Sequence, residues 1–322
     1  MITNPVVSAS QTTRHTTPLD VLVIGSVALD TVETPRGRRE EIVGGSASYF
    51  AAAASLFTPV KMVAVVGEDF PHDELSFLQQ RGVDFEGLER VKGRTFRWTG
   101  RYSEDLQTRQ TLATHLNVFE SFRPKIPSNY RASQILFLGN IDPLLQLQVR
   151  NQITRPRLVA LDTMNYWING SNAELRRVLQ QVDVLIINDE EVKDLADLSN
   201  LVKAGRAVLH MGPRALVVKR GDSGALLFHG DQLFCVPAYP LEDVVDPTGA
   251  GDTFAGGFIG YMAEIGVFDA SAIRRAMVYG CAAASFCVEA FGIDRLRNLT
   301  RQEIDRRYGM FRALTFFEDA SL

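Results

Sequence analysis

An aspartate placed directly after a stretch almost free of side chains is the strongest chemical signal in the chain. The run is Val245-Asp246-Pro247-Thr248-Gly249-Ala250-Gly251-Asp252, and it leads into the apolar, small-residue segment Thr253 to Met262. Gly249, Ala250 and Gly251 let backbone N–H groups approach a ligand closely. The first turn of a helix adds unpaired N–H donors and partial positive charge, which favour an anion. Asp252 then stands beside that anion, where a proton acceptor is useful. An anion cradle with a base is the equipment of phosphoryl transfer to a hydroxyl. Small residues at a helix start can also be only a tight turn. The flanking Asp246 and Thr248 and the terminal Asp252 make the chemical reading the sharper one.

Positioning these groups requires a scaffold, and the sequence spells one. Apolar runs at Val21 to Gly25, Val60 to Val66, Ile135 to Leu138, Leu158 to Leu161, Val184 to Ile187 and Leu216 to Val218 read as buried strands, with helix-like segments between them, the first from about Ser46 to Phe57. Continuous apolar strands alternating with helices indicate a mostly parallel sheet covered on both faces, an α/β/α three-layer fold. Gly212-Pro213 stops a helix before the Leu216 strand. Two stretches break the alternation. Thr95 to Tyr102 has strict period two, with Phe96, Trp98 and Tyr102 on one face and Arg97, Thr99 and Arg101 on the other, and Thr111 to Phe119 alternates again. With the polar extended segment Thr31 to Val43, these predict a small antiparallel sheet standing off the main one, a lid formed by about residues 31–43 and 95–119. Ala272 to Phe291 reads as a deeply packed helix and Thr300 to Phe317 as a surface helix. Residues 1–18 read as a loose tail and 19–322 as one domain.

The chain resembles the PfkB/ribokinase family of sugar and nucleoside kinases, chiefly through the Asp246–Asp252 run, and the resemblance extends over about residues 19 to 300. It implies a ribokinase-like fold, ATP and Mg²⁺ as cofactors, Asp252 as base and Gly249–Gly251 as anion hole. Asp30, closing Gly25-Ser26-Val27-Ala28-Leu29-Asp30, matches a family aspartate that binds acceptor hydroxyls, and a carboxylate accepts two such bonds. Gly44-Gly45-Ser46-Ala47-Ser48-Tyr49 matches the diglycine motif, whose bare backbone lets an acceptor lie flat; otherwise it is a turn with Ser46 as N-cap. Tyr49 stands where the family commonly has Asn, and offers flat area for stacking. Asn188-Asp189-Glu190-Glu191 matches the Asn-x-x-Glu element, implying Asn188 near the nucleotide phosphates and Glu191 at Mg²⁺ through water. Lys219, Gly221 and Gly224 occupy the nucleotide loop, where Lys219 either reaches a phosphate or is a solvated strand end. Asp162 and Asn165 follow another strand, where they line the cleft or cap a turn. The stretch Ala282 to Gly292 is either adenine pocket, by resemblance, or close-packed core. A monovalent cation such as K⁺ near Asp246 and Thr248 is implied by the resemblance alone.

Composition fits this reading. A net charge of −4 argues against nucleic acid as the partner. The N-terminus lacks a secretory or membrane-spanning apolar core. The 3 cysteines, Cys235, Cys281 and Cys287, have no ligand spacing, which suits a reducing, cytoplasmic setting. The expected partners are a neutral sugar or nucleoside and ATP, with a homodimer through the lid. The segments Gly25 to Asp30 and Gly44 to Tyr49 carry no Lys or Arg, so a phosphorylated sugar acceptor would need a lid cation, Arg97 or Arg101. Rival readings are a non-catalytic nucleotide or sugar sensor on the same fold and a dehydrogenase. The second lacks the Gly-x-Gly-x-x-Gly turn after the first strand.

Overall fold

The computed structural model describes residues 17–318, so the tail expected over 1–18 falls almost wholly outside the described residues. The main sheet has nine strands: β1 (Val21–Ile24), β4 (Val60–Gly67), β5 (Val83–Val91), β8 (Ile135–Leu138), β9 (Leu158–Leu161), β10 (Val184–Asn188), β11 (Ala215–Lys219), β12 (Ala225–His229) and β13 (Gln232–Val236), in the order β13-β12-β11-β10-β9-β8-β1-β4-β5. Pairing is parallel from β11 across to β5, and β12–β13 add an antiparallel hairpin at one edge. The order reverses at β1, whose neighbours are β8 and β4. Ligands of open α/β sheets bind outside the carboxyl ends of strands at such a switch point.

Period-two alternation decides which core each strand residue joins. Val21 and Val23 face one apolar cluster with α1 (Ser46–Ala54), α8 (Ala250–Ile265) and α9 (Ala270–Cys287). Leu22 and Ile24 face the other, with α3 (Pro143–Arg150), α5 (Asn172–Leu179), α6 (Asp189–Ala196) and α7 (Leu201–Leu209). Short helices α2 (Ser76–Gln80), α4 (Asn165–Gly170) and α10 (Asp294–Arg297) and the surface helix α11 (Arg301–Thr315) complete the layers. Small residues set the spacing of α8. A Cβ on Gly256 would stand 2.3 Å from the Phe50 carbonyl oxygen, and one on Gly257 2.8 Å from Ala283 Cβ. Glycine inside a helix costs roughly 0.5–1 kcal/mol relative to alanine, and α8 recovers this by lying in direct contact with both α1 and α9.

The second sheet has four strands in the order β3-β2-β6-β7: β2 (Ala28–Thr34), β3 (Gly37–Gly44), β6 (Phe96–Tyr102) and β7 (Arg109–His115). The hairpin pairs β2–β3 and β6–β7 are antiparallel, and they join through a parallel β2–β6 pair. This lid is tied to the loop before α8: Thr34 Oγ1 donates to the Val245 carbonyl at 2.9 Å, and Arg36 pairs with Asp243.

Candidate active site

Gly249 caps α8 at φ 75°, and Ala250 and Gly251 open the helix. The backbone N–H groups of this turn lie at the positive end of a 16-residue helix. No other residue fits at Gly249 without movement, because a Cβ there would stand 2.3 Å from Tyr49 Cε1. Asp246 closes the run from behind. It is fully buried, Oδ1 accepts the Thr248 N–H at 2.8 Å, and Oδ2 accepts the Gly292 N–H at 3.1 Å.

Asp252 lies in the first turn of α8, half-buried, with no side-chain hydrogen bond among the described residues. Burial pushes its carboxyl up to about 7; the charge of Asp162 adds to the push, while Lys219 and Arg109 oppose it. Lys219 Nζ is 3.0 Å from Asp162 Oδ2 and would stand 3.1 Å from a Cβ on Gly251. Its side chain is 18% exposed, so it is not a solvated strand end. Asp162 and Lys219 close β9 and β11, either side of β10, so the parallel sheet itself delivers the pair to the cradle.

Asn188 and Glu191 form a reciprocal capping box on α6. Glu191 N–H donates to Asn188 Oδ1 at 2.8 Å, and Asn188 N–H donates to Glu191 Oε2 at 2.8 Å. One Glu191 oxygen is thus committed to the helix, and the other has no protein hydrogen bond among the described residues. Burial and the charge of Asp162 raise Glu191 to about 7.

On the far side, Asp30 ends up 4% exposed, with Oδ1 lacking a hydrogen-bond partner among the described residues. Burial, then the charges of Asp246 and Asp252, raise it to about 8. Gly44 must be glycine here, since a Cβ would overlap Asp30 Oδ2 at 1.9 Å. Gly45, at φ 92°, is the N-cap of α1, in place of the Ser46 cap that a simple turn predicts. Ser46 instead exchanges hydrogen bonds with Ser26: its N–H donates to Ser26 Oγ at 3.0 Å, and Ser26 N–H donates to Ser46 Oγ at 3.2 Å. Tyr49 is 1% exposed with its ring against Gly249, so the stacking area expected of it faces the cradle backbone and not an acceptor. Its hydroxyl is buried without a partner.

The lid arginines that a phosphorylated acceptor would need are both already paired. Arg97 pairs with Glu41 and Asp69, and Arg101 with Glu33. Arg97 thereby ties β6 to β3 and to the loop after β4, and Arg101 ties β6 to β2. The aromatic face does reach the site: Tyr102 OH lies 3.1 Å from Thr248 Oγ1. Gly221 and Gly224 flank a short turn; Gly224 is held against β13, where a Cβ would stand 2.1 Å from the Val236 carbonyl oxygen, while Gly221 faces open space. Gln107 at the lid tip donates to Asp222 of that turn at 2.9 Å. Asn165 opens α4, half-buried, with no side-chain hydrogen bond among the described residues. Ala282, Ala283 and Cys287 are fully buried, the core reading of that stretch. The sequence reading missed Arg109 and Tyr102 as site residues. The hairpin alternation was the available signal, since Tyr102 and Arg109 pair directly across β6–β7.

Comparisons with known proteins identify the family and the fold. The pattern of pfkB family carbohydrate kinases matches residues 19–297. A cytidine kinase of Thermococcus kodakarensis is 31% identical over 248 residues, covering 75% of this chain and 87% of that one. The structure of a Burkholderia thailandensis nucleoside kinase in complex with inosine superposes with a TM-score of 0.73 at 22% identity, over 91% of this chain and 99% of that one. That of Arabidopsis thaliana ribokinase with ribose and ATP gives 0.71 at 23% identity, over 91% and 99%. The fold is ribokinase-like, the protein is an enzyme that transfers a phosphoryl group, and the chain belongs to the pfkB family of carbohydrate and nucleoside kinases.

Proposed function

We propose that this kinase moves the γ-phosphoryl group of ATP to a hydroxyl of a nucleoside. The observation that carries the reaction is Asp252, an unpartnered carboxylate in the first turn of α8, beside the Gly249–Gly251 cradle and Lys219. The acceptor lies between Asp30, Gly44-Gly45 and the lid. Asp252 takes the hydroxyl proton as the acceptor oxygen bonds to the γ-phosphorus and the bond to the bridging oxygen breaks, leaving ADP. Phosphoryl transfer is loose, so alignment counts for more than base strength. The cradle N–H groups and Lys219 meet charge on the transferring group. Asp30 Oδ1, buried without a partner, is satisfied by an acceptor hydroxyl.

The charge of Asp162 raises both Glu191 and Asp252, and Lys219 opposes it at each, so the site has room for further positive charge. Mg²⁺ suits such oxygen donors and would neutralise phosphate charge while keeping water in its shell. Among the described residues no three acidic, histidine or cysteine side chains converge on one metal position, which fits Glu191 acting through water. The side chains of Asp246 and Thr248 both make hydrogen bonds within the protein, so this reading gives them the clamping of the cradle, and a monovalent cation such as K⁺ beside them would share their remaining lone pairs.

A nucleoside is favoured over a phosphorylated sugar because the acceptor segments hold no cation and both lid arginines named above are paired. The cytidine kinase relative supports it over a free sugar. Among the described residues no helix is long and apolar enough to cross a membrane, and the buried thiols Cys281 and Cys287, both pushed up to about 12 by burial, suit a reducing compartment. A lid-to-lid homodimer belongs to the same reading, because β3 and β7 leave the lid with two unpaired edges. The test is a competition of cytidine, inosine, adenosine, ribose, fructose and fructose 6-phosphate at equal concentration with ATP and Mg²⁺. A nucleoside should win. Preference for ribose or fructose moves the assignment to sugars, and phosphorylation of none of them removes it.

A further inference from the structure

Among the described residues, the lid carries one cation that has neither an ion pair nor a side-chain hydrogen bond. It is Arg109, the first residue of β7, and it is exposed. Its guanidinium rests over the Trp98 ring at 5.6 Å from the centroid. Trp98 is itself pinned, with Nε1 donating to Thr111 Oγ1 at 3.2 Å and its ring lying where a Cβ on Gly100 would be. The aromatic face therefore restricts a side chain that would otherwise sweep freely.

Two neighbours fix where that side chain hangs. Directly across the hairpin, Tyr102 reaches Thr248, the residue before Gly249. Two positions earlier in the chain, Gln107 reaches Asp222 in the nucleotide loop. Arg109 thus stands in the hairpin between the contact to the anion cradle and the contact to the nucleotide loop. Its charge is felt at both Asp252 and Glu191, where it counters the upward push of burial.

We propose that Arg109 is a phosphate-binding catalytic residue: from the closed lid its guanidinium contacts oxygens of the transferring γ-phosphoryl group, completing with Lys219 and the cradle a three-sided clamp. This rests on the ATP-dependent reading above. A guanidinium presents paired donors that match two phosphate oxygens, and it gains strength where charge spreads onto those oxygens in transit. The lid would then report acceptor closure to the phosphoryl group through a single side chain. The same chemistry could serve the phosphate of a phosphorylated acceptor, and the experiment separates the two sources.

Arg109→Gln and Arg109→Lys would be made in the full chain. Calorimetry with Mg²⁺ would measure binding of a non-hydrolysable ATP analogue and of ADP. Turnover would be followed with the preferred acceptor and with fructose 6-phosphate. For Arg109→Gln we expect analogue affinity to fall about tenfold or more, ADP affinity to stay within about twofold, and kcat to fall at least about tenfold at unchanged acceptor KM. Arg109→Lys should recover part of both losses. Equal weakening of ADP and analogue would overturn the γ-phosphoryl assignment. So would an unchanged analogue affinity with a raised KM for fructose 6-phosphate alone, which would place the acceptor's phosphate there. Variants indistinguishable from a wild type that binds the analogue would overturn the role of Arg109 only. A wild type that binds neither nucleotide would overturn the kinase reading, and this proposal with it.

Discussion

Asp252 and Asp30 are both carboxyls held where a charge is costly, and the cost is used differently by each. Asp252 is raised to about 7, close to the point where a base is half-ionised at neutral pH. A base works only when deprotonated, so kcat/KM, which reads the free enzyme, should rise with pH up to about 7 and then level. Asp252→Asn should remove that limb and lower turnover at least about a hundredfold, the low end for a general base, with ATP binding kept. A pH–rate series on both proteins checks this, and near-wild-type turnover in the variant would exclude Asp252 as base. Asp30 has its folded pKa raised to about 8, against about 3.9 in an unfolded chain. The folded state therefore holds this proton more tightly than the unfolded one. Its contribution to stability is full below about pH 4 and is lost as pH rises through about 8. Asp30→Asn cannot ionise, so it should raise the melting temperature above pH 8 by about 2–4 °C for each kcal/mol of relieved penalty, with little change near pH 4. The same variant should bind the acceptor poorly, a trade of stability for function. An equal shift at both pH values would contradict the ionisation argument.

Elements deliver these residues with tolerances the glycines make visible. At the start of α8, alanine in place of Gly249 would be forced into the left-handed region, costing about 1–2 kcal/mol, and its Cβ would also meet the Tyr49 ring. Gly249→Ala should therefore destabilise the protein by more than backbone strain alone, and adding Tyr49→Leu should restore part of the loss. Denaturant unfolding of the two single variants and the double one measures the coupling; strictly additive effects would mean the ring does not brace the cradle. Much of this scale was legible in the sequence. Strands β1, β4 and β8 to β11 are continuous apolar runs because helices cover both their faces. Strand β5 escaped because it is an edge strand with mixed charge, Val83 to Val91; β12 and β13, five-residue strands joined by a tight turn at Gly230, also went unread. Glu191 was read for its charge, yet its first task is the capping box with Asn188, a pattern visible in Asn-x-x-Glu itself. The parallel β2–β6 pairing had no local signal, since it joins segments more than sixty residues apart through a register set by the whole lid.

At the scale of the molecule, the site is built from the main sheet and the lid, and the contacts between them bear on how the two substrates communicate. The main sheet supplies the cradle, Lys219 and the nucleotide loop; the lid supplies Asp30 from β2 and Tyr102 from β6. Apart from the chain itself, the hairpin bridges to the nucleotide side through the Tyr102–Thr248 hydrogen bond and the tip contact of Gln107 with Asp222. The tip is a separate structure that can be removed cleanly. Residues 103–108 form a loop stitched by Ser103 and Asp105, beyond the last strand pair Tyr102–Arg109. A two-residue Asn-Gly turn closes such a pair in the twist that antiparallel strands prefer. Replacing 103–108 by Asn-Gly should therefore leave β6–β7, Tyr102 and the fold in place while deleting the Gln107 contact. One hydrogen bond of this kind is worth about 0.5–1.5 kcal/mol, or roughly 2–10-fold in an equilibrium. Nucleotide held at that loop would fix the surface the tip rests on, so in the intact protein it should tighten acceptor binding, and by linkage acceptor should tighten nucleotide binding equally. In the trimmed protein this mutual enhancement should shrink by roughly 2–10-fold, with each substrate's affinity measured alone nearly unchanged. Calorimetric titration of each ligand with and without the other gives the coupling directly. Undiminished coupling after trimming would mean that the lid closes through Tyr102 and the strand frame alone, and that the tip rests on the nucleotide loop without linking the two sites.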